Sequence, residues 1–76
     1  MKEVLELIIK NLVENKEEVS ISENQENGIL VFTVKVNSKD MGRVIGKEGK
    51  IANAIRTLMK SLGSAEKQKV SVHFND

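Results

Sequence analysis

Two runs of alternating apolar residues, Leu30-Phe32-Val34-Val36 and Val70-Val72-Phe74, stand about thirty residues apart, and the segment between them carries helical periodicity. That spacing constrains the fold more than any other feature of the chain. Antiparallel strands can be joined by a tight turn, whereas a parallel pair needs a crossover of a dozen or more residues, usually a helix. The spacing therefore predicts a parallel pair, and strand twist makes the crossover right-handed. Upstream, Val19 and Ile21 alternate with Ser20 and Ser22 as a half-buried strand ending in the polar run Glu23 to Asn27. Asn27-Gly28 is a strong hairpin signal, so this strand pairs antiparallel with the next.

Val4, Leu5, Ile8, Ile9 and Leu12 recur at helical spacing, which predicts an amphipathic helix from residue 2 to about 14. The expected architecture is α+β in the order α-β-β-α-α-β, with all 76 residues in one domain. Its mixed three-stranded sheet has the Leu30 strand in the middle and three helices on one face. The other face then shows Ser20, Ser22, Ile29, Val31, Thr33, Ser71 and His73. A domain this small draws only a few kcal/mol from its core.

Inside the crossover, Asn37 or Ser38 can cap a short helix starting near Lys39, with Asp40 favoured there by the helix dipole. Gly42 costs up to about 1 kcal/mol relative to alanine inside a helix, which predicts close packing against another helix. Further on, Ile51, Ile55, Leu58 and Leu62 form a stripe with Ala52 and Ala54 beside it. This predicts a helix of about three turns that stops at Gly63, with Met41 and Met59 as packing residues.

Composition removes several function classes. Without cysteine there is no disulfide framework or thiolate metal site, and one histidine, His73, cannot form a zinc site alone. No cysteine, tyrosine, histidine pair or carboxylate cluster offers a nucleophile or an acid and base, so no enzymatic activity is expected. No apolar run approaches the roughly 20 residues of a membrane span, and Lys2, Glu3 and Glu6 do not make a signal-peptide pattern. A cytoplasmic protein is the expectation. The net charge of +1 conceals an asymmetry: residues 1–38 hold four Lys and seven Glu, net −3, while residues 39–76 hold eight Lys or Arg and four acids, net +4. The basic half has the footprint of a polyanion binder.

That half contains the turn Val44-Ile45-Gly46-Lys47-Glu48-Gly49-Lys50-Ile51. Its two glycines let the backbone turn sharply and approach a polyanion without a Cβ in the way. Lys47 and Lys50 add charge, while Glu48 opposes it. Gly42, Gly46 and Lys47 miss the Walker spacing by one residue, and Glu48 stands where a magnesium-binding Ser or Thr is needed. The dinucleotide fingerprint fails too, because Gly42, Gly46 and Gly49 follow a helix and are wrongly spaced. A GxxG turn between two helices remains.

These residues resemble the KH family of RNA-binding domains, whose Val-Ile-Gly-Lys-x-Gly signature stands at Val44 to Gly49 and continues into Ile51, Ala54, Ile55 and Arg56. With the hairpin ahead of the two-helix unit, the chain is similar to the type II arrangement, in particular to small single-domain bacterial members. The resemblance implies a GxxG loop that clamps about four nucleotides of single-stranded RNA beside an apolar groove. By position it assigns backbone approach to Gly46 and Gly49, phosphate contacts to Lys47 and Lys50, and the groove floor to Val44, Ile45, Ile51 and some side chains of the middle strand. Arg43 and Arg56 flank it, and Glu48 sits within it. The resemblance implies no cofactor, metal, membrane or small-molecule substrate. It does imply self-association or pairing with a larger KH-containing protein, and RNA chaperone work linked to cell elongation and envelope synthesis. The outer helix face around Thr57, Leu58 and Lys60, or the open sheet face with Ile29 and Val31, could mediate pairing. Phe32 and Phe74, the only aromatic residues, both alternate with the core set, which predicts that no stacking platform exists. The alternative reading is a protein-interaction module with a KH fold and little nucleic-acid affinity, favoured by Glu48 and the low net charge.

Overall fold

Leu5 and Ile9 are the residues that α1 (Lys2–Leu12) turns inward, and both are fully buried. The computed structural model describes residues 1–76. After α1 come a 3-10 turn at Lys16–Glu18, β1 (Ser20–Glu26) and β2 (Ile29–Lys35). A second 3-10 turn at Ser38–Asp40 leads into α2 (Met41–Ile45), α3 (Lys50–Ala65) and β3 (Lys69–Asn75). The strand order is β1-β2-β3, with β1 antiparallel and β3 parallel to β2. This is the α+β fold with a mixed three-stranded sheet expected of a type II KH domain.

The hairpin turns at Asn27 (φ 52°) and Gly28 (φ 80°), the paired left-handed conformation of a two-residue turn. It fixes Ser20 opposite Lys35 and Glu26 opposite Ile29. β1 thus runs through the polar segment that was expected to end it. It is an edge strand with only Ile21 buried, so its ladder bonds rather than apolar contacts hold it. Leu30, Phe32 and Val34 face the helices, as do Val70 and Val72 of β3. Val36 lies just past β2 but stays in the core, and its amide donates to the Asn75 carbonyl at 3.1 Å.

Other boundaries and roles also differ from the sequence expectation. α1 ends at Leu12, because Val13 turns extended (φ −98°, ψ 158°) to bury its side chain. α3 has 16 residues, not about three turns. Its buried stripe is Ala52, Ile55, Met59 and Gly63, while Leu58 is 42% exposed and Ala54 is exposed. Gly63 does not stop the helix; a Cβ there would stand 2.5 Å from the Gln68 carbonyl oxygen and 2.5 Å from Val70 Cγ2, so glycine lets α3 lie against the start of β3.

The stop falls at Lys67, which takes the left-handed conformation (φ 57°) usually given to glycine. Its amide donates to Ser64 and that of Gln68 to Gly63, the paired bonds of a Schellman end. Gly42 makes no close approach at all, since a Cβ there would meet nothing within 4 Å.

Candidate nucleic-acid interface

The turn between α2 and α3 is built from backbone that L-residues avoid. Gly46 (φ 76°, ψ 172°), Glu48 (φ 57°, ψ 25°) and Gly49 (φ 74°, ψ 13°) all have positive φ. The two glycines serve different ends. A Cβ on Gly46 would sit 2.6 Å from Ile51 Cγ1 and 2.9 Å from the Ile51 nitrogen, so the turn closes onto the next helix there. Beside Gly49 the nearest atom to such a Cβ is Asn53 Nδ2 at 3.9 Å, which leaves an open approach to the backbone.

Lys47, Glu48 and Lys50 are exposed, and none of them joins an ion pair. Two free ammonium groups thus flank the loop, against one carboxylate turned to solvent. The amides of Gly49 and Lys50 are already bonded to the Gly46 and Lys47 carbonyls within the turn, so α3 offers the loop the positive end of its dipole more than free donors. Ile45 and Ile51 are half-buried against the core and supply apolar surface next to the loop. Val44 is fully buried; it holds α2 down and offers nothing to a base. Leu30, Phe32 and Val34 of β2 are likewise buried beneath the helices, while Ile29 and Val31 lie on the opposite, open face of the sheet.

Arg43 is turned away from the loop. Its Nη2 donates to Glu14 Oε1 at 2.6 Å and its Nε lies 3.6 Å from Asp40 Oδ1. Asp40, 1% exposed, does more than favour a helix start. Its carboxylate accepts from the amides of Glu14 and Asn15 at 3.1 Å each and from Asn15 Nδ2 at 3.0 Å. Burial pushes its pKa up, but these bonds and Arg43 outweigh it and hold the carboxyl below its ordinary 3.8. The loop after α1 is thereby tied to α2. The turn into α2 is capped by Asn37, whose Oδ1 accepts from the Lys39 amide at 2.8 Å.

Arg56 lies on the other flank, over the edge of β3. Its Nε donates to the Val72 carbonyl at 3.2 Å, its Nη1 to Asn53 Oδ1 at 3.2 Å, and its guanidinium stands 5.3 Å from the centroid of the Phe74 ring. Phe32 is buried, but Phe74 is only half-buried, so one aromatic does reach the surface beneath Arg56. Its place as the last apolar residue before the polar Asn75-Asp76 is the signal that it lies at the end of the core. Thr57, Leu58 and Lys60 are exposed on α3, at a distance from the loop. His73 is exposed on the open sheet face, 3.3 Å from Ser71 Oγ.

The family model described as "KhpA/KhpB, KH domain" matches residues 2–74. Among curated proteins, the RNA-binding protein KhpA of Clostridium perfringens is 44% identical over 74 residues, covering 97% of this chain and 99% of the relative. The RNA-binding protein KhpA of Chlamydia pneumoniae is 46% identical over 74 residues (97% and 95%), and that of Listeria monocytogenes 43% over 74 residues (97% and 97%). No solved structure matches the chain.

Proposed function

The chain belongs to the KhpA/KhpB family of KH domains, and on that premise we propose that it is a non-catalytic, single-stranded RNA-binding protein. The observation that carries this reading is the strained Gly46–Gly49 turn with an open approach at Gly49 and two unpaired lysines beside it. A strand's phosphates meet Lys47 and Lys50 at the positive end of the α3 dipole, while its bases lie toward Ile45, Ile51 and the Arg56–Phe74 pair. Glu48 repels phosphate and keeps affinity modest.

Few phosphate contacts make the binding of one copy weak, so avidity through a homodimer or a larger KH-containing partner completes the function. Of the three pairing candidates Leu58 is the apolar one and is the proposed pairing surface, while Thr57 and Lys60 lie on the neighbouring face of α3 with Lys50 and Asn53. RNA chaperone work in cell elongation and envelope synthesis is the proposed setting. Light scattering on Leu58→Asp tests the pairing; an unchanged oligomeric state places it elsewhere.

The test of RNA binding is fluorescence anisotropy with short RNAs on Lys47→Glu with Lys50→Glu. This pair leaves the turn's backbone intact, unlike any change at Gly46. Removing two single-strand contacts lowers the salt slope by about 1.4, and wild-type affinity falls roughly sevenfold between 50 and 200 mM salt from those two contacts alone. Equal binding by variant and wild type, or no salt dependence, leaves the protein-interaction module in its place.

A further inference from the structure

A groove of about 670 Å³ lies at the opposite end of α3 from the Gly46–Gly49 turn. Lys60, Lys67 and Lys69 line it with Ser64 and Gln68, over a floor that includes Val70. The three lysines are exposed and none forms an ion pair, and no acid lines the groove. Glu66, the neighbour of Lys67 in sequence, is not part of the lining.

The helix between the two ends favours a continuous anion path. α3 carries Lys50, Arg56 and Lys60 and no acidic residue. Lys50, Asn53, Thr57, Lys60 and Ser64 are all exposed and recur at intervals of three or four, so they share one face of the helix from the turn to the groove. Ten residues separate Lys50 from Lys60, about 15 Å along the axis at ~1.5 Å per residue. A stacked strand at ~3.4 Å per nucleotide covers that distance with about four nucleotides beyond those held at the turn.

We propose that the Lys60–Lys67–Lys69 groove is a second phosphate-binding site, which takes the continuation of the RNA strand held at the GxxG turn and extends the footprint to about eight nucleotides. The proposal rests on the RNA-binding reading above. The Ser64 hydroxyl adds a neutral donor among the lysines, while Gln68 shapes the wall, its Nε2 donating to the Gly28 carbonyl at 3.2 Å and the Lys69 carbonyl at 3.1 Å. An acidic protein segment would meet the same charges, but the unbroken acid-free face leading from the turn favours the strand.

The test uses fluorescein-labelled oligouridylates of four and twelve nucleotides with three proteins: wild type, Lys47→Glu with Lys50→Glu, and Lys60→Gln with Lys67→Gln and Lys69→Gln. Glutamine keeps the Cβ at position 67, so the helix end is unchanged; circular dichroism verifies the fold, and light scattering verifies that the groove variant keeps the oligomeric state of wild type. The groove variant should bind the 12-mer roughly tenfold more weakly, with a salt slope about 2 smaller, and bind the 4-mer within twofold of wild type. The turn variant should weaken on both. Wild type binding the two lengths equally, or a groove variant with undiminished 12-mer affinity, overturns the second site. The second site also falls if the groove variant loses affinity for a polyglutamate peptide but not for RNA. Loss at the groove with none at the turn sinks the clamp, and with it the continuous path from turn to groove.

Discussion

Gly42 and Gly63 both sit in helices, yet replacing each with alanine should move stability in opposite directions. At Gly63 the new Cβ meets a backbone oxygen and a Val70 methyl at 2.5 Å each. The oxygen belongs to Gln68, whose own amide is bonded back to Gly63 at 2.8 Å, so neither partner can move without breaking the end of α3. Overpacking of this kind costs about 1–3 kcal/mol, here at the upper end because one partner is main chain. Alanine returns about 1 kcal/mol of helix propensity, leaving a net loss of about 2 kcal/mol. At Gly42 nothing is met, so only the propensity gain remains, up to about 1 kcal/mol. For a domain of this size these figures mean a Tm lowered by roughly 8–16 °C for Gly63→Ala and raised by up to roughly 8 °C for Gly42→Ala. The chain has no Trp or Tyr, so urea unfolding is followed by far-ultraviolet circular dichroism, comparing midpoints at constant m. A Gly63→Ala protein as stable as wild type would show that α3 does not lie against Gln68 and Val70.

Four further substitutions probe other parts of the framework. Lys67→Gly relieves a left-handed non-glycine residue at the end of α3 and should raise stability by about 0.5–1 kcal/mol in the same assay; no gain would remove the strain assigned there. Gly46→Ala combines a conformation only glycine reaches with a 2.6 Å approach to Ile51, and should cost about 2–4 kcal/mol, whereas Gly49→Asn, in a left-handed site with open space, should stay within about 1 kcal/mol of wild type. Asp40, whose pKa is depressed in the folded state, contributes stability that is full above its unfolded pKa and is lost as pH falls through the folded value. Asp40→Asn should therefore flatten the acid limb of the stability profile below about pH 4, and an acid limb identical to wild type would assign the loss to other carboxylates.

Most of the scaffold is legible in the chain because periodicity and spacing act locally. Asn27-Gly28, the Leu30 alternation and the long helical gap before Val70 each point to one arrangement, and the sheet order follows from them. Two of the misreadings share a physical cause: glycine has more than one use. Gly63 reads as a helix stop, yet it is a point of contact with β3, and the left-handed stop falls on Lys67, a residue with no propensity signal for it. Gly42 reads as a contact and makes none. Leu58 outranks Met59 on hydrophobicity but not on phase, since α3 is rotated to bury Ala52, Ile55, Met59 and Gly63 together. Asp40 and Arg43 are a local pair three residues apart, but Glu14 and Asn15 reach them only in three dimensions, across 25 or more residues of chain, so no local pattern announces that link. The GxxG loop, by contrast, is wholly local, which is why its residues are readable before the fold is known.

Sheet order also explains why a net charge of +1 understates the molecule. The acidic half of the chain supplies α1, β1 and β2, and the basic half α2, α3 and β3. Because β2 is central, the asymmetry along the chain becomes an asymmetry across the sheet, with Glu23 and Glu26 on the β1 edge and Lys69 on the β3 edge. The edges stand two strand spacings apart, about 10 Å, which is about one Debye length at ~0.1 M salt. A strand approaching the β3 side is thus largely screened from the acids of β1 and meets the local field of Lys47, Lys50, Arg56, Lys60 and Lys69. Arg56 has a second effect on that side, since its bond to the Val72 carbonyl occupies a free acceptor of an edge strand and discourages sheet extension there. The same residue that lends charge to the interface keeps the β3 edge from pairing with another strand.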